Sequence, residues 1–149
     1  MYYRDEIEIL LKDAEPKTTK KLQLPLILRL IKKLEEKKIS DDTLELMFKH
    51  LAGIAKNLVR GQTKGFNEYK KKNYEITVYV QREYELTAKG YYVSLYMAIG
   101  LAIGAGIGVA LGSAINPAYA ALGIAPGFAA GLVLGTMKDK KTEEEGKLY

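Results

Sequence analysis

The chain has 149 residues, of which 48% are hydrophobic and 28% are charged, and it carries a formal net charge of +5. It contains no cysteine, which excludes disulfides, thiolate metal sites and cysteine lipidation. Residues 91–137 contain no Asp, Glu, Lys, Arg or His and residues 138–149 contain four acidic and four basic residues, so the net charge belongs to the first 90 residues.

The first 60 residues have the spacing of amphipathic helices, because apolar residues recur three or four positions apart. The three apolar stripes are Tyr3, Ile7, Leu10, Leu11 and Ala14; Leu26, Ile27, Leu30, Ile31 and Leu34; and Leu44, Met47, Leu51, Ile54, Ala55 and Leu58. Pro25 suits the first turn of the second helix, and Ser40-Asp41-Asp42 supplies a cap for the third. Gly61 ends the third helix. The pattern predicts three amphipathic helices.

Residues 62–87 have a different pattern. Residues 62–73 are polar and rich in lysine, and Lys70, Lys71 and Lys72 form an uninterrupted basic run. The stretch NYEITVYV (73–80) is rich in β-branched residues that alternate, which predicts a short strand, or a hairpin near 74–87 that returns through residues 84–87. A helix that runs into the next segment is the alternative. With the helices before it, this stretch completes a mostly helical cytoplasmic domain over residues 1–88.

Residues 89–137 have the composition of a transmembrane helical hairpin. Two uncharged segments, residues 91–115 and 118–137, flank the turn signal Asn116-Pro117. As helices they would span roughly 37 and 30 Å, against a hydrocarbon core of about 30 Å. The predicted fold class is therefore mainly α: the cytoplasmic domain, the two-helix membrane hairpin, and a charged cytoplasmic tail over residues 138–149.

Both membrane segments carry small residues at every fourth position. In water each helical glycine costs about 0.8–1 kcal/mol relative to alanine, whereas in lipid small residues let helices approach closely. Positions four apart share a helical face. One face of the first segment carries Gly100, Gly104, Gly108 and Gly112, and the nearly opposite face carries Ala98, Ala102, Gly106, Ala110 and Ala114. The second segment repeats this with Gly123, Gly127, Gly131 and Gly135 opposed by Ala121, Ala125 and Ala129.

A single hairpin uses one small face of each helix, so we expect the other faces to pack against neighbouring copies in a homo-oligomer. A membrane strand and a hairpin buried in a soluble oligomer are less favoured alternatives. The residues predict no catalytic, cofactor or metal site: the glycine run lacks a nucleotide-loop pattern, and His50 has no Cys or second His to share a metal. With four arginines and no aromatic–basic platform, nucleic-acid binding is not expected.

The lysines around the hairpin indicate its orientation. Lys89 precedes the first segment, Lys138, Lys140 and Lys141 follow the second, and the turn between them carries no charge. The positive-inside rule then predicts a multi-pass protein of the inner membrane with both termini cytoplasmic. The first residues lack the features of a secretory signal. Lys70, Lys71, Lys72 and Lys89 are candidate contacts to anionic lipid, at about 1 kcal/mol per lysine.

The stretch MAIGLAIGAGIGVALG, the glycine repeat after it and the short Lys/Glu tail resemble bacterial glycine-zipper membrane-hairpin proteins over about residues 97–149. The resemblance implies a bacterial inner-membrane hairpin that self-associates, and it carries over no enzymatic function. The preferred hypothesis is a membrane-anchored interaction or sensor protein, with the bilayer, other copies of itself and a cytoplasmic protein bound through residues 1–88 as partners. The alternative is a membrane-permeabilising effector, such as a toxin, a holin-like protein or a pore-forming arm of phage defence.

Overall fold

The computed structural model describes residues 2–62, 64–115 and 120–149. Within these residues the chain is mainly helical, as predicted, and forms no strand. Its seven helices are α1 (Tyr2–Asp13), α2 (Pro16–Lys21), α3 (Leu24–Glu36), α4 (Asp42–Val59), α5 (Phe66–Tyr84), α6 (Tyr91–Ala114) and α7 (Ala120–Glu144). The chain divides into two compact units, one that extends to Leu86 and includes Tyr149, and one from Thr87 to Leu148.

The core of the first unit is built from the predicted apolar stripes. Ile7 of α1, Ile31 of α3 and Leu51 of α4 are fully buried, and the ring of Tyr3 stacks on that of Phe48 with centroids 5.1 Å apart. The buried core also includes residues that the predicted stripes did not contain, among them Leu24 and Phe48. The extra short helix α2 begins at Pro16, whose fixed φ suits a first helical turn.

Asp41 joins α4 to α5 through one carboxylate. Its Oδ1 accepts hydrogen bonds from the backbone N–H groups of Thr43 (2.8 Å) and Leu44 (3.1 Å), which confirms the predicted cap. Its Oδ2 accepts from the hydroxyls of Tyr79 (2.8 Å) and Tyr84. The Tyr84 hydrogen bond lowers the pKa of Asp41 and raises the pKa of Tyr84 to about 12, because it stabilises the carboxylate and the neutral phenol together.

The predicted strand near 74–87 is wrong, because residues 66–84 form α5. A strand would place Ile76, Val78 and Val80 on one face, yet Ile76 is 1% exposed and Val80 is not exposed at all, while Val78 is 41% exposed. Burial follows the helical spacing of Tyr69, Ile76 and Val80, and this packing overrides the weak β preference of branched residues. The basic run 70–72 therefore lies on a helix as well. The helix does not continue into α6, since Glu85 adopts a left-handed conformation at its end.

In the second unit α6 and α7 run antiparallel. The predicted turn Asn116-Pro117 and the predicted start of the second membrane segment lie outside the described residues. Helix α7 continues without a break past Met137 to Glu144. The change from uncharged to charged residues at Lys138 therefore falls within a helix and does not end it.

Candidate functional site in the paired helices

The contact between α6 and α7 is formed by glycines. The buried residues of α6 are Gly104, Gly108 and Gly112, and the larger Ile103 and Ile107 beside them are each more than half exposed. In α7 the buried glycines are Gly123, Gly131 and Gly135, with Gly127 half-buried. The predicted glycine stripes of the two helices thus face each other along the antiparallel pair.

The two backbones approach too closely for any side chain. A Cβ atom at Gly104 would overlap the carbonyl oxygen of Gly123 and lie 3.1 Å from the Cα atom of Gly127. A Cβ at Gly135 would lie 2.6 Å from the Cα of Val93. Since real Cβ atoms do not approach backbone atoms this closely, the interface accepts glycine at these positions and no larger residue without separating the helices.

The second set of small residues does not take part in this contact. Ala98, Ala102, Gly106 and Ala110 of α6 are exposed, and a Cβ at Gly106 would meet no atom within 4 Å. On α7 the predicted opposite stripe is likewise exposed at Ala125 and Ala129, whereas the side chain of Ala121 lies outside the described residues. Each helix therefore has one small face in contact and one that faces outward.

These two faces predict opposite effects for the same substitution two residues apart. Gly104→Ala should destabilise the helix pair by about 1–3 kcal/mol, because the added methyl group overlaps the backbone of α7. Gly106→Ala is the matched control and should be neutral or stabilising by up to about 1 kcal/mol through its helix propensity. Unfolding by SDS in mixed micelles, followed by far-UV circular dichroism, measures both. Equal stabilities for the two variants would contradict the close approach at Gly104.

A carboxylate extends the glycine stripe of α7 by one more step of four residues. Asp139 follows Gly135 in the same register and is 8% exposed. Its Oδ2 accepts a hydrogen bond from the backbone N–H of Gly90 (2.7 Å), and its Oδ1 accepts from that of Tyr92 (3.1 Å). Gly90 is the N-cap residue of α6, and it has no side chain that could accept a hydrogen bond from the first turn. Asp139 therefore caps α6 from the partner helix.

Further polar contacts close the same end of the hairpin. The Lys89 ammonium lies 3.0 Å from a carboxylate oxygen of Glu143, and the backbone N–H of Thr87 donates to the carbonyl of Lys147 at 2.9 Å. The ammonium of Lys138 lies over the ring of Tyr92, 5.5 Å from its centroid. We call these contacts together with those of Asp139 the clasp. Sequence reasoning missed Asp139, although the four-residue spacing from Gly135 was a signal for it.

The clasp predicts unequal costs for removing its two carboxylates. Asp139→Ala should lower the free energy of unfolding of the hairpin by about 1–3 kcal/mol, because two backbone donors lose a largely buried acceptor. Glu143→Gln removes an exposed ion pair and should cost less than about 1 kcal/mol. The same SDS titration compares them, and amide hydrogen exchange at Gly90 and Tyr92 should accelerate only in the Asp139 variant. Unchanged exchange at these two amides would show that Asp139 is not the cap.

The lysines predicted to contact lipid belong to two different units of the chain. Lys70, Lys71 and Lys72 lie on α5 of the first unit, whereas Lys89 belongs to the second. Lys70 lies over the Phe66 ring, with its ammonium 4.7 Å from the centroid, and Lys72 pairs with Glu75 at 2.8 Å. The hydrogen bond from Lys72 lowers the pKa of the Glu75 carboxyl, and the charge of Lys71 adds to this effect.

Helix α6 is long and apolar enough to cross a membrane. In the described part of the chain, no three His, Asp or Glu side chains are grouped as a metal site would need. Comparison of the chain with models of protein families, with curated proteins and with solved structures found no match.

Proposed function

We propose that the protein is a membrane-anchored interaction or sensor protein whose second unit is a glycine-zipper transmembrane hairpin that assembles copies of the chain. The observation that carries this proposal is the inverted packing of α6. Gly104, Gly108 and Gly112 are buried, whereas the larger Ile103, Ile107 and Val109 are each more than half exposed. A protein folded in water places these residue types the other way round, because burying large apolar side chains is its main driving force.

A bilayer removes the cost of this arrangement. Large apolar side chains are stable in contact with lipid, and glycines allow the close backbone packing that replaces the hydrophobic effect between membrane helices. The 24 residues of α6 extend about 36 Å, which exceeds a hydrocarbon core of about 30 Å. The apolar part of α7 is also free of charge as far as Met137. These properties support two membrane crossings.

The basic residues and the clasp support a cytoplasmic location for the open end of the hairpin. Lys89, Lys138, Lys140 and Lys141 lie at this end, and the rule that orients membrane proteins counts lysine and arginine while acidic neighbours matter little. Tyr91 and Tyr92 lie at the same end, where aromatic side chains favour the interface between lipid and water. The protein would then lie in a bacterial inner membrane with both termini of the chain on the cytoplasmic side.

The outward small face of each helix supports assembly. Ala98, Ala102, Gly106 and Ala110 gain little from lipid contact but permit close approach of another helix. Neighbouring hairpins that use this face would form a closed ring, as identical subunits do when the rotation between neighbours closes on itself. The first unit, with its own core and its charged surface, is the part that would receive a cytoplasmic protein or signal.

Single cysteines test the membrane topology, since the chain has none of its own. Ile115→Cys lies beyond the last residue of α6 and should react with a membrane-impermeant maleimide added outside spheroplasts. His50→Cys, exposed on α4, should react only after lysis and serves as the control. The protein should stay with the membranes in carbonate. Release by carbonate, or labelling of both residues from the same side, would overturn the proposed hairpin.

Paired substitutions test the assembly. Ala102→Leu combined with Gly106→Leu should reduce the mass of the purified protein in mild detergent while leaving the hairpin stability close to that of the wild type, because these residues lie outside the α6–α7 contact. Gly104→Leu with Gly108→Leu should instead unfold the hairpin. A wild-type protein that is monomeric at every concentration contradicts the proposal. Dye leakage from liposomes that contain the wild type would favour the permeabilising alternative in place of an interaction protein.

A further inference from the structure

A groove runs between α1 and α4 on the surface of the first unit. It has a volume of about 580 Å³, and its apolar floor includes Leu10, Ala52 and Val59. Ile9 stands at its edge and is 56% exposed, although it is a large apolar side chain. The groove therefore offers apolar surface that the fold of a single chain does not cover.

The two walls of the groove carry charges of opposite sign. The α1 wall presents the carboxylates Asp5, Glu6 and Asp13, and the α4 wall presents the cations Lys56 and Arg60. None of the salt bridges among the described residues joins one wall to the other. Each row of charge is thus available to a partner that brings the opposite sign.

The two helices run in the same direction along the groove. Near the start of α1 the ring of Tyr3 stacks on Phe48. Farther along, the groove is lined by Asp13 at the end of α1 and by Arg60, which directly follows α4. A two-fold axis that runs along the groove would therefore place α1 of one copy against α4 of the other, with the two helices parallel. Under this symmetry the acidic wall of each copy faces the basic wall of the other, so the charged contact occurs twice in the dimer.

We propose that this groove is a two-fold interface between two copies of the chain, in which Asp5 meets the partner's Lys49 and Asp13 meets the partner's Arg60. Lys49 lines an adjoining cavity of about 470 Å³ that shares Glu6 with the groove. The inference goes beyond the proposed function, because it assigns a second self-contact to the first unit, separate from the hairpin.

A second copy fits the groove better than an unrelated helix for two reasons. The groove is self-complementary, so one surface supplies both the acidic and the basic partner and covers Ile9 of each copy. Copies held in one membrane also reach a high effective concentration, so that a small interface with modest charge attraction suffices. The contact would bring first units together in pairs.

Charge reversal on full-length chains in liposomes tests the interface. Lys56→Glu with Arg60→Glu makes both walls acidic, and Asp5→Lys with Asp13→Lys gives both walls a net positive charge although Glu6 remains. Each double variant should repel its own copies, whereas a mixture of the two should pair, because every wall then faces the opposite sign. One tagged chain carries Ile9→Cys and a differently tagged chain carries Val59→Cys, and a flexible bismaleimide joins them only across two copies.

The wild-type background should give a clear cross-link, each double variant alone should give a yield at least about fivefold lower, and the mixture should restore it. Lys32→Cys, exposed on α3 outside the groove, replaces Ile9→Cys as the control and should not cross-link. Recovery in the mixture cannot come from chains that fail to fold. Yields that are insensitive to charge reversal, a mixture that does not recover, or a cross-link to a different protein would each overturn the proposed self-contact.

Discussion

Where Gly104 of α6 meets Gly123 and Gly127 of α7, the two backbones touch without a side chain between them. This approach determines the other properties of the second unit. It leaves the large apolar side chains no place except the outer surface, and the proposed location in a bilayer would stabilise such a surface. The close approach also explains why the helices contain so many glycines. Glycine has a low helix propensity, but this loss is offset by packing that larger residues would prevent.

The clasp complements this contact with a different kind of interaction. Along the apolar part of the hairpin the helices are held by van der Waals contact, which is sensitive to shape and insensitive to salt. At the open end they are held by a carboxylate that meets the positive end of a helix dipole. Gly135 and Asp139 are only four residues apart, yet the change from one interaction to the other falls where the uncharged segment ends. The chemistry of the helix pair thus changes with the composition of the chain.

Much of the fold follows from the sequence because hydrophobic spacing and charge segregation are strong signals. They locate α1, α3 and α4, the two apolar helices and the facing glycines. The stretch 73–80 misled because alternation over a few residues fits a strand, whereas burial of Tyr69, Ile76 and Val80 depends on partners elsewhere in the chain. The oppositely charged walls of the α1–α4 groove were not foreseen for a similar reason: residues distant in sequence become two sides of one surface only after the helices pack.

Asp139 was missed because charge was treated as the end of the hairpin, although the spacing of small residues runs on into it. This separation in sequence has a consequence for how the protein is made. Helix α6 leaves the ribosome first, and its first turn has unpaired N–H groups and a glycine that cannot cap them. The acceptor that satisfies them is 49 residues later in the chain. The capping of Gly90 and Tyr92 by Asp139 therefore requires that α7 has been synthesised and has paired with α6.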